Sequence, residues 1–254
     1  MKDVPVSHDP HFLNWPRQPS HPQNVNNNCF SYAVGNKVTI EQYADRDHPA
    51  IRQPEPGDAI GLPTKIYSLA HGFKASTICT LAAKMKMMPI KVADHDGLPE
   101  APQGKRLVVM WFLPAAKAAN AMYHWARQDP VDPANPKAPR VFTGKMADEV
   151  PSSRDSRGHV ITDPRYAHFR AGQEGPFFFF VPEEGLDLAM HKDWVRPVID
   201  AYDSQKDMKH GRPVSELGAA FSSMATLARH SNDPKFEQFI HAVALRNGVR
   251  VLPR

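Results

Sequence analysis

The chain has 254 residues, 41% of them hydrophobic and 23% charged, with 25 prolines, 14 glycines and 2 cysteines. That apolar share supports a packed core and excludes a disordered polyelectrolyte, and two cysteines exclude a disulfide framework. The net charge of +4 is dispersed, and the short basic clusters at 84–91 and 246–254 carry no interleaved aromatic residues, so no nucleic-acid surface is expected.

No stretch reaches the roughly 20 apolar residues of a membrane-spanning helix, since the richest, 107–116, is interrupted by Pro114. The first twenty residues hold Asp3, His8, Asp9 and His11 among prolines where an export signal needs an apolar segment, so synthesis in the cytoplasm without such a signal is expected. Proline, at about twice its usual ~5%, gathers in 1–23, 49–63, 89–102 and 130–139, which read as loops.

Between these loops the periodicities can be taken one at a time. The asparagine-rich run 24–28 gives way to Cys29, Phe30, Ser31, Tyr32 and Ala33, predicting a helix capped by asparagine with Cys29 at its start. Leu69, Ala70, Phe73, Ile78, Leu81, Ala82 and Met85 recur at helical spacing and predict one helix over 67–88 in spite of Gly72. Residues 106–113 form a continuous apolar strand pattern, 121–128 and 140–144 read as two strands joined by a proline-rich loop, and 159–162 and 177–181 as further strands. After Gly185 the pattern turns helical. Leu188, Val195, Val198, Ile199 and Tyr202 share one face, as do Leu217, Ala220, Phe221, Met224 and Leu227, and then Phe236, Phe239, Ile240 and Val243. Pro234 marks a helix start and Gly248 a helix end. The expected organisation is a proline-rich leader at 1–22, an α+β domain at 23–184 and a helical region at 185–254.

A thiol at a helix start feels the positive end of the helix dipole, which favours the thiolate, so Cys29 is the candidate nucleophile. The alternative is a small buried apolar side chain. Cys79 falls inside the helical pattern and is assigned to the core. A cysteine nucleophile needs a base, and among 13 histidines position singles out His124. Alternation on the predicted strand puts His124 and Gln128 on one face and Tyr123 and Trp125 on the other. His71, His95 and His159 have no comparable support. Neither His-Glu-x-x-His nor Cys-x-x-Cys is present, so no metal and no cofactor is expected. Gly-x-Ser-x-Gly, the Walker loop and Gly-x-Gly-x-x-Gly are also missing, which leaves the thiol as the chemical centre.

The order of helix-borne cysteine, strand-borne histidine and later polar residue resembles the papain-like cysteine hydrolases in the broad sense that includes NlpC/P60 peptidases. Asn28-Cys29-Phe30-Ser31-Tyr32-Ala33, with Tyr123-His124-Trp125-Ala126-Arg127-Gln128-Asp129, is similar to a group of bacterial and phage proteins that pair Asn-Cys-Tyr-x-Tyr-Ala with His-Trp-Tyr-Arg-Gln-Asp motifs. Gly158-His159-Val160-Ile161-Thr162-Asp163-Pro164 fits a third motif of that group, and the resemblance covers about 23–182. It implies Cys29 as nucleophile, His124 as base, and Gln23, six residues before Cys29, as an oxyanion-hole donor. Asp163 is the candidate orienting residue, with Asp129 and Gln128 as alternatives. One position departs. Where the group commonly reads Trp-Ser-His-Lys, this chain has Phe142-Thr143-Gly144-Lys145, so a histidine that would serve as third polar member is missing.

The implied protein is an α+β, papain-like enzyme whose Cys29 helix packs on an antiparallel sheet carrying His124, followed by a helical C-terminal region. The implied reaction is amide cleavage on a peptide or peptidoglycan stem, by an antibacterial effector delivered through a secretion system and restrained by an immunity protein. A deamidase or transglutaminase acting on a protein glutamine uses the same pair. A binding protein that keeps the fold without catalysis is the reading from another class.

Overall fold

The computed structural model describes residues 15–18, 20, 27–35, 55–62, 64–114, 122–131, 134–146, 149–186, 214–230, 232–246, 248–249 and 251. It is a mixed α+β protein with a five-stranded antiparallel sheet. The elements in chain order are helix α1 (Cys29–Ala33), a 3-10 turn (Asp58–Ile60), helices α2 (Thr64–His71) and α3 (Ala75–Lys84), and strands β1 (Met88–Ile90), β2 (Lys105–Leu113), β3 (Met122–Gln128) and β4 (Phe142–Gly144). A second 3-10 turn (Pro164–Tyr166), strand β5 (Glu174–Pro182) and helices α4 (Val214–His230) and α5 (Pro234–Arg246) complete them. Among the described residues no helix is long and apolar enough to cross a membrane.

The chain divides into two compact units, one of Met1–Glu55 with Lys74–Leu188, the other of Pro56–Phe73 with Ala189–Arg254. The single helix expected over 67–88 is corrected. Gly72 adopts a left-handed φ of +84°, where a side chain is disfavoured, and its N–H bonds back to the Ser68 carbonyl at 2.7 Å, closing α2. A new helix begins at Ala75, the chain changes units at 73–74, and Met88 already lies in a strand.

In the first unit the sheet order is β1-β5-β2-β3-β4. β2 lies at its centre, and seven consecutive residues of it, Leu107–Leu113, are buried, as expected of a strand covered on both sides. Alternation sorts its neighbours. Leu107, Val109, Trp111 and Leu113 pack with Ala126, Phe142, Phe178 and Phe180 on one face, beneath Ile161, Ala167 and Phe169 from the loop 149–173. On the other face Trp125 packs against Phe179 and against Phe30 of α1. Trp15, from the proline-rich leader, is buried edge-on against Tyr32 of α1. The strand expected at 159–162 is not formed. The Asp155 carboxylate takes the N–H groups of Arg157 and His159, bending the chain so that Val160 makes only an isolated bridge to Arg154.

In the second unit, the Tyr67 ring of α2 packs at a tilt against Phe236 of α5, and its hydroxyl donates to Asp233 at 2.6 Å. Asp233 also takes the Phe236 N–H, capping the helix that begins at Pro234. The helix expected around 188–202 lies outside the described residues.

Candidate active site

Helix α1 has only five residues, all buried, and its start is built by Asn28, whose side-chain oxygen accepts from the N–H groups of Phe30 and Ser31 at 3.0 and 3.1 Å. This places Cys29 in the first turn, as the asparagine run suggested. The thiol is 7% exposed and donates to the Tyr123 carbonyl at 3.8 Å. β4 pairs only with Ala126–Gln128, so that carbonyl lies past the end of β4 on the strand that carries His124. Burial pushes the Cys29 thiol up to about 12, outweighing the Trp125 N–H and the Lys145 charge that favour the thiolate. The N–H groups of Phe30 and Cys29 at the start of α1 favour the thiolate as well, and burial outweighs them too.

His124 leaves β3 on the opposite face from Trp125, as alternation requires. Its ring is 3% exposed and lies between Trp111, stacked at 5.9 Å and 22°, and Phe169, at 4.3 Å between ring centres. Burial draws its pKa down to about 3, so the imidazole is neutral at physiological pH. No hydrogen bond joins it to Cys29, and its Nδ1 has no hydrogen-bond partner among the described residues. Its Nε2 faces Gly144, where an added Cβ would stand 2.8 Å away. The position that departs from the resembled motif is thus the one the imidazole leans against.

Asp163 is not brought to His124. Its carboxylate caps the 3-10 turn through the Arg165 N–H and pairs with the Arg165 guanidinium at 2.6 Å. Partial burial raises its pKa, but the hydrogen bonds and charge of Arg165 prevail and hold it below the usual carboxylate range. Its link to the imidazole is indirect, through the Pro164 carbonyl, which accepts from the indole of Trp111 at 3.2 Å. Of the alternatives, Asp129 accepts the Thr143 hydroxyl at 2.7 Å, and Thr143 in turn accepts the Tyr32 hydroxyl at 3.0 Å, which ties α1 to β4. Gln128 is half-buried at the end of β3. Gln23 lies outside the described residues.

Sequence reasoning missed the charge buried under α1. Arg127 and Lys145 are fully buried, and the Arg127 guanidinium lies 4.9 Å from the centre of the Tyr32 ring. The signal was present in the alternation of β3, which places Arg127 on the same face as Trp125. Phe169 had no signal at all, because nothing in a loop sequence tells which ring it will meet. Among the described residues, no group of three or more His, Cys, Asp and Glu side chains gathers as a metal would require. Comparison of the chain with protein-family models, curated proteins and solved structures gives no match.

Proposed function

We propose that this chain is a cysteine hydrolase of the papain-like, NlpC/P60-related kind that cleaves an amide bond through a thioester on Cys29. One observation carries the reading: the thiol at the start of α1 is hydrogen-bonded to the residue preceding His124 on an antiparallel sheet. In this reading the unpartnered Nδ1 of His124 takes the Sγ proton and the sulfur attacks the amide carbon. The C–N bond then breaks as the imidazolium returns the proton to the departing amine. Water next attacks the thioester, giving a carboxylic acid and restoring the thiol. The resting pair is neutral and shares no hydrogen bond, so in this reading proton transfer awaits a substrate and a rearrangement that brings Nδ1 to the thiol.

The substrate class is a peptide or peptidoglycan stem, and the biological role that of a delivered antibacterial effector with a cognate immunity protein. The test is expression of the chain directed to the periplasm or the cytoplasm of a bacterium, beside Cys29→Ala and His124→Ala at matched levels. Lysis from the periplasm alone, lost in both variants, is the expected result, with cleaved stem peptides among the muropeptides. Equal behaviour of wild type and variants in both compartments overturns the reading. Release of ammonia from a protein glutamine, without cleaved stems, selects the deamidase form of the same chemistry.

A second reading, a binding protein without catalysis, is favoured by Gly144, which gives the imidazole no polar partner from β4. It predicts that Cys29 reacts with iodoacetamide no faster than Cys79 under every condition, including in the presence of peptidoglycan fragments.

A further inference from the structure

The loop 149–173 does more than cover the sheet. At one end Asp155 receives the N–H groups of Arg157 and His159 on one carboxylate oxygen and that of His168 on the other. Ser156 adds two hydrogen bonds to the His168 carbonyl, from its N–H at 3.0 Å and its hydroxyl at 2.6 Å. At the other end Gln173 accepts the Phe169 N–H at 2.8 Å and donates to the Ala167 carbonyl at 2.7 Å. The chain from Ala167 to Phe169 is therefore held on both sides. The ring so fixed lies 4.3 Å from the His124 imidazole and 4.7 Å from Trp111. Trp111, the other jaw, is fixed by its indole N–H to Pro164 of the same loop.

We propose that Phe169, pressed on the imidazole by this strap, is a positioning residue for His124, and that together with Trp111 it does the orienting that a polar side chain at position 144 would do. Three observations converge on it. No hydrogen bond orients Nδ1 among the described residues, Gly144 presents no side chain to Nε2, and both rings facing the imidazole are anchored by hydrogen bonds of their own. A buried side chain with no hydrogen bond is held by shape, and here the Trp111 indole at 22° on one side and the Phe169 ring, tilted at 48°, on the other confine the imidazole. As a positioning role for a catalytic base, the inference rests on the hydrolase reading; as a statement about what fixes the ring, it does not.

The test uses the whole chain with Phe169→Ala, Phe169→Tyr and Gln173→Ala. Gln173→Ala loosens the strap without removing the ring and serves if Phe169→Ala fails to fold. Three-bond couplings to Cγ of His124 report its χ1 rotamer by NMR. The expected result is a single rotamer in wild type and Phe169→Tyr, and averaging in Phe169→Ala and in Gln173→Ala. A folded Phe169→Ala protein with the wild-type couplings overturns the proposal, and so does Gln173→Ala when it alone folds and keeps them. Periplasmic lysis separates the two claims: it slows about tenfold or more in Phe169→Ala at unchanged protein level, and recovers in Phe169→Tyr. If wild type behaves like Cys29→Ala and His124→Ala in both compartments, the hydrolase reading fails while the couplings still decide the clamp. If wild type is lytic and Phe169→Ala lyses at the same rate, the clamp has no positioning role and the hydrolase reading stands.

Discussion

The two faces of one sheet are built on different physics. Beneath α1, beside the contact of Phe30 with Trp125, the layer also holds buried polar side chains: Arg127, Lys145, Thr143 and Asp129 are all 4% exposed or less, joined in part by the hydroxyls of Tyr32 and Thr143. Beneath the strap the layer is largely apolar, and His124 on β3 is held between rings. β3 feeds both faces by simple alternation. Burial acts in the same direction on the chemistry of each, keeping the thiol protonated and the imidazole unprotonated. On the α1 face buried side-chain hydrogen bonds add to packing, whereas on the other face the imidazole itself is held by packing.

Substitutions should separate these two modes. The largest effect is expected on the apolar side, where Trp111→Ala removes a fully buried indole and should cost about 3 to 5 kcal/mol in denaturant unfolding. A loss under 1 kcal/mol would mean that the strap collapses into the gap. On the polar side Thr143→Val keeps the shape but removes the hydroxyl between Tyr32 and Asp129, at a cost of about 2 to 4 kcal/mol, and Thr143→Ser should recover most of it. A loss in the serine variant with little or none in the valine variant would make the methyl group, not the relay, the important part. Gly144→Ala puts a methyl 2.8 Å from the His124 Nε2 and 2.9 Å from the Trp125 carbonyl, so about 1 to 3 kcal/mol is expected together with a shifted His124 ring signal in NMR.

The smallest effect depends on pH. Partial burial raises the Asp155 pKa, but the N–H groups of His168, His159 and Arg157 and the charge of His159 outweigh it and bring it below its ordinary value. A depressed carboxyl contributes stability above its unfolded pKa of about 3.9 and loses it as the pH falls through the folded value. Wild type should therefore lose stability more steeply than Asp155→Asn below about pH 4, with the gap between the two closing as acid is added. Parallel curves from pH 6 down to acid unfolding would remove Asp155 from that role.

How much of this was legible follows the same division. Alternation in β3 and the apolar run of β2 are local patterns, and they gave the strands and the face on which His124 lies. The capping asparagine gave the position of Cys29. Asp163, by contrast, carried the right residue type in the right order, and its carboxylate went to Arg165 two residues away, a competition that spacing does not reveal. Gly72 was discounted because the apolar spacing continued across it, yet its left-handed backbone ended the helix. Residues 159–162 read as a strand, whereas the Asp155 carboxylate takes the His159 N–H and Val160 forms only an isolated bridge to Arg154. Local competition for partners decided each of these, and spacing alone does not show which partner wins.

The left-handed turn at Gly72 also governs how the chain can be divided. Thr64–His71 is an inserted piece: it is encoded between the α1 and α3 segments of the first unit, but clusters with the chain after residue 188. A fragment ending near 184 would carry α2 while discarding Phe236 and Asp233, the side chains that Tyr67 packs against and bonds. A fragment starting at 185 would carry α5 without its aromatic neighbour. A single cut therefore cannot yield two intact halves. Separating them takes excision of 56–73 as well, with that peptide rejoined to, or added back beside, the C-terminal helices.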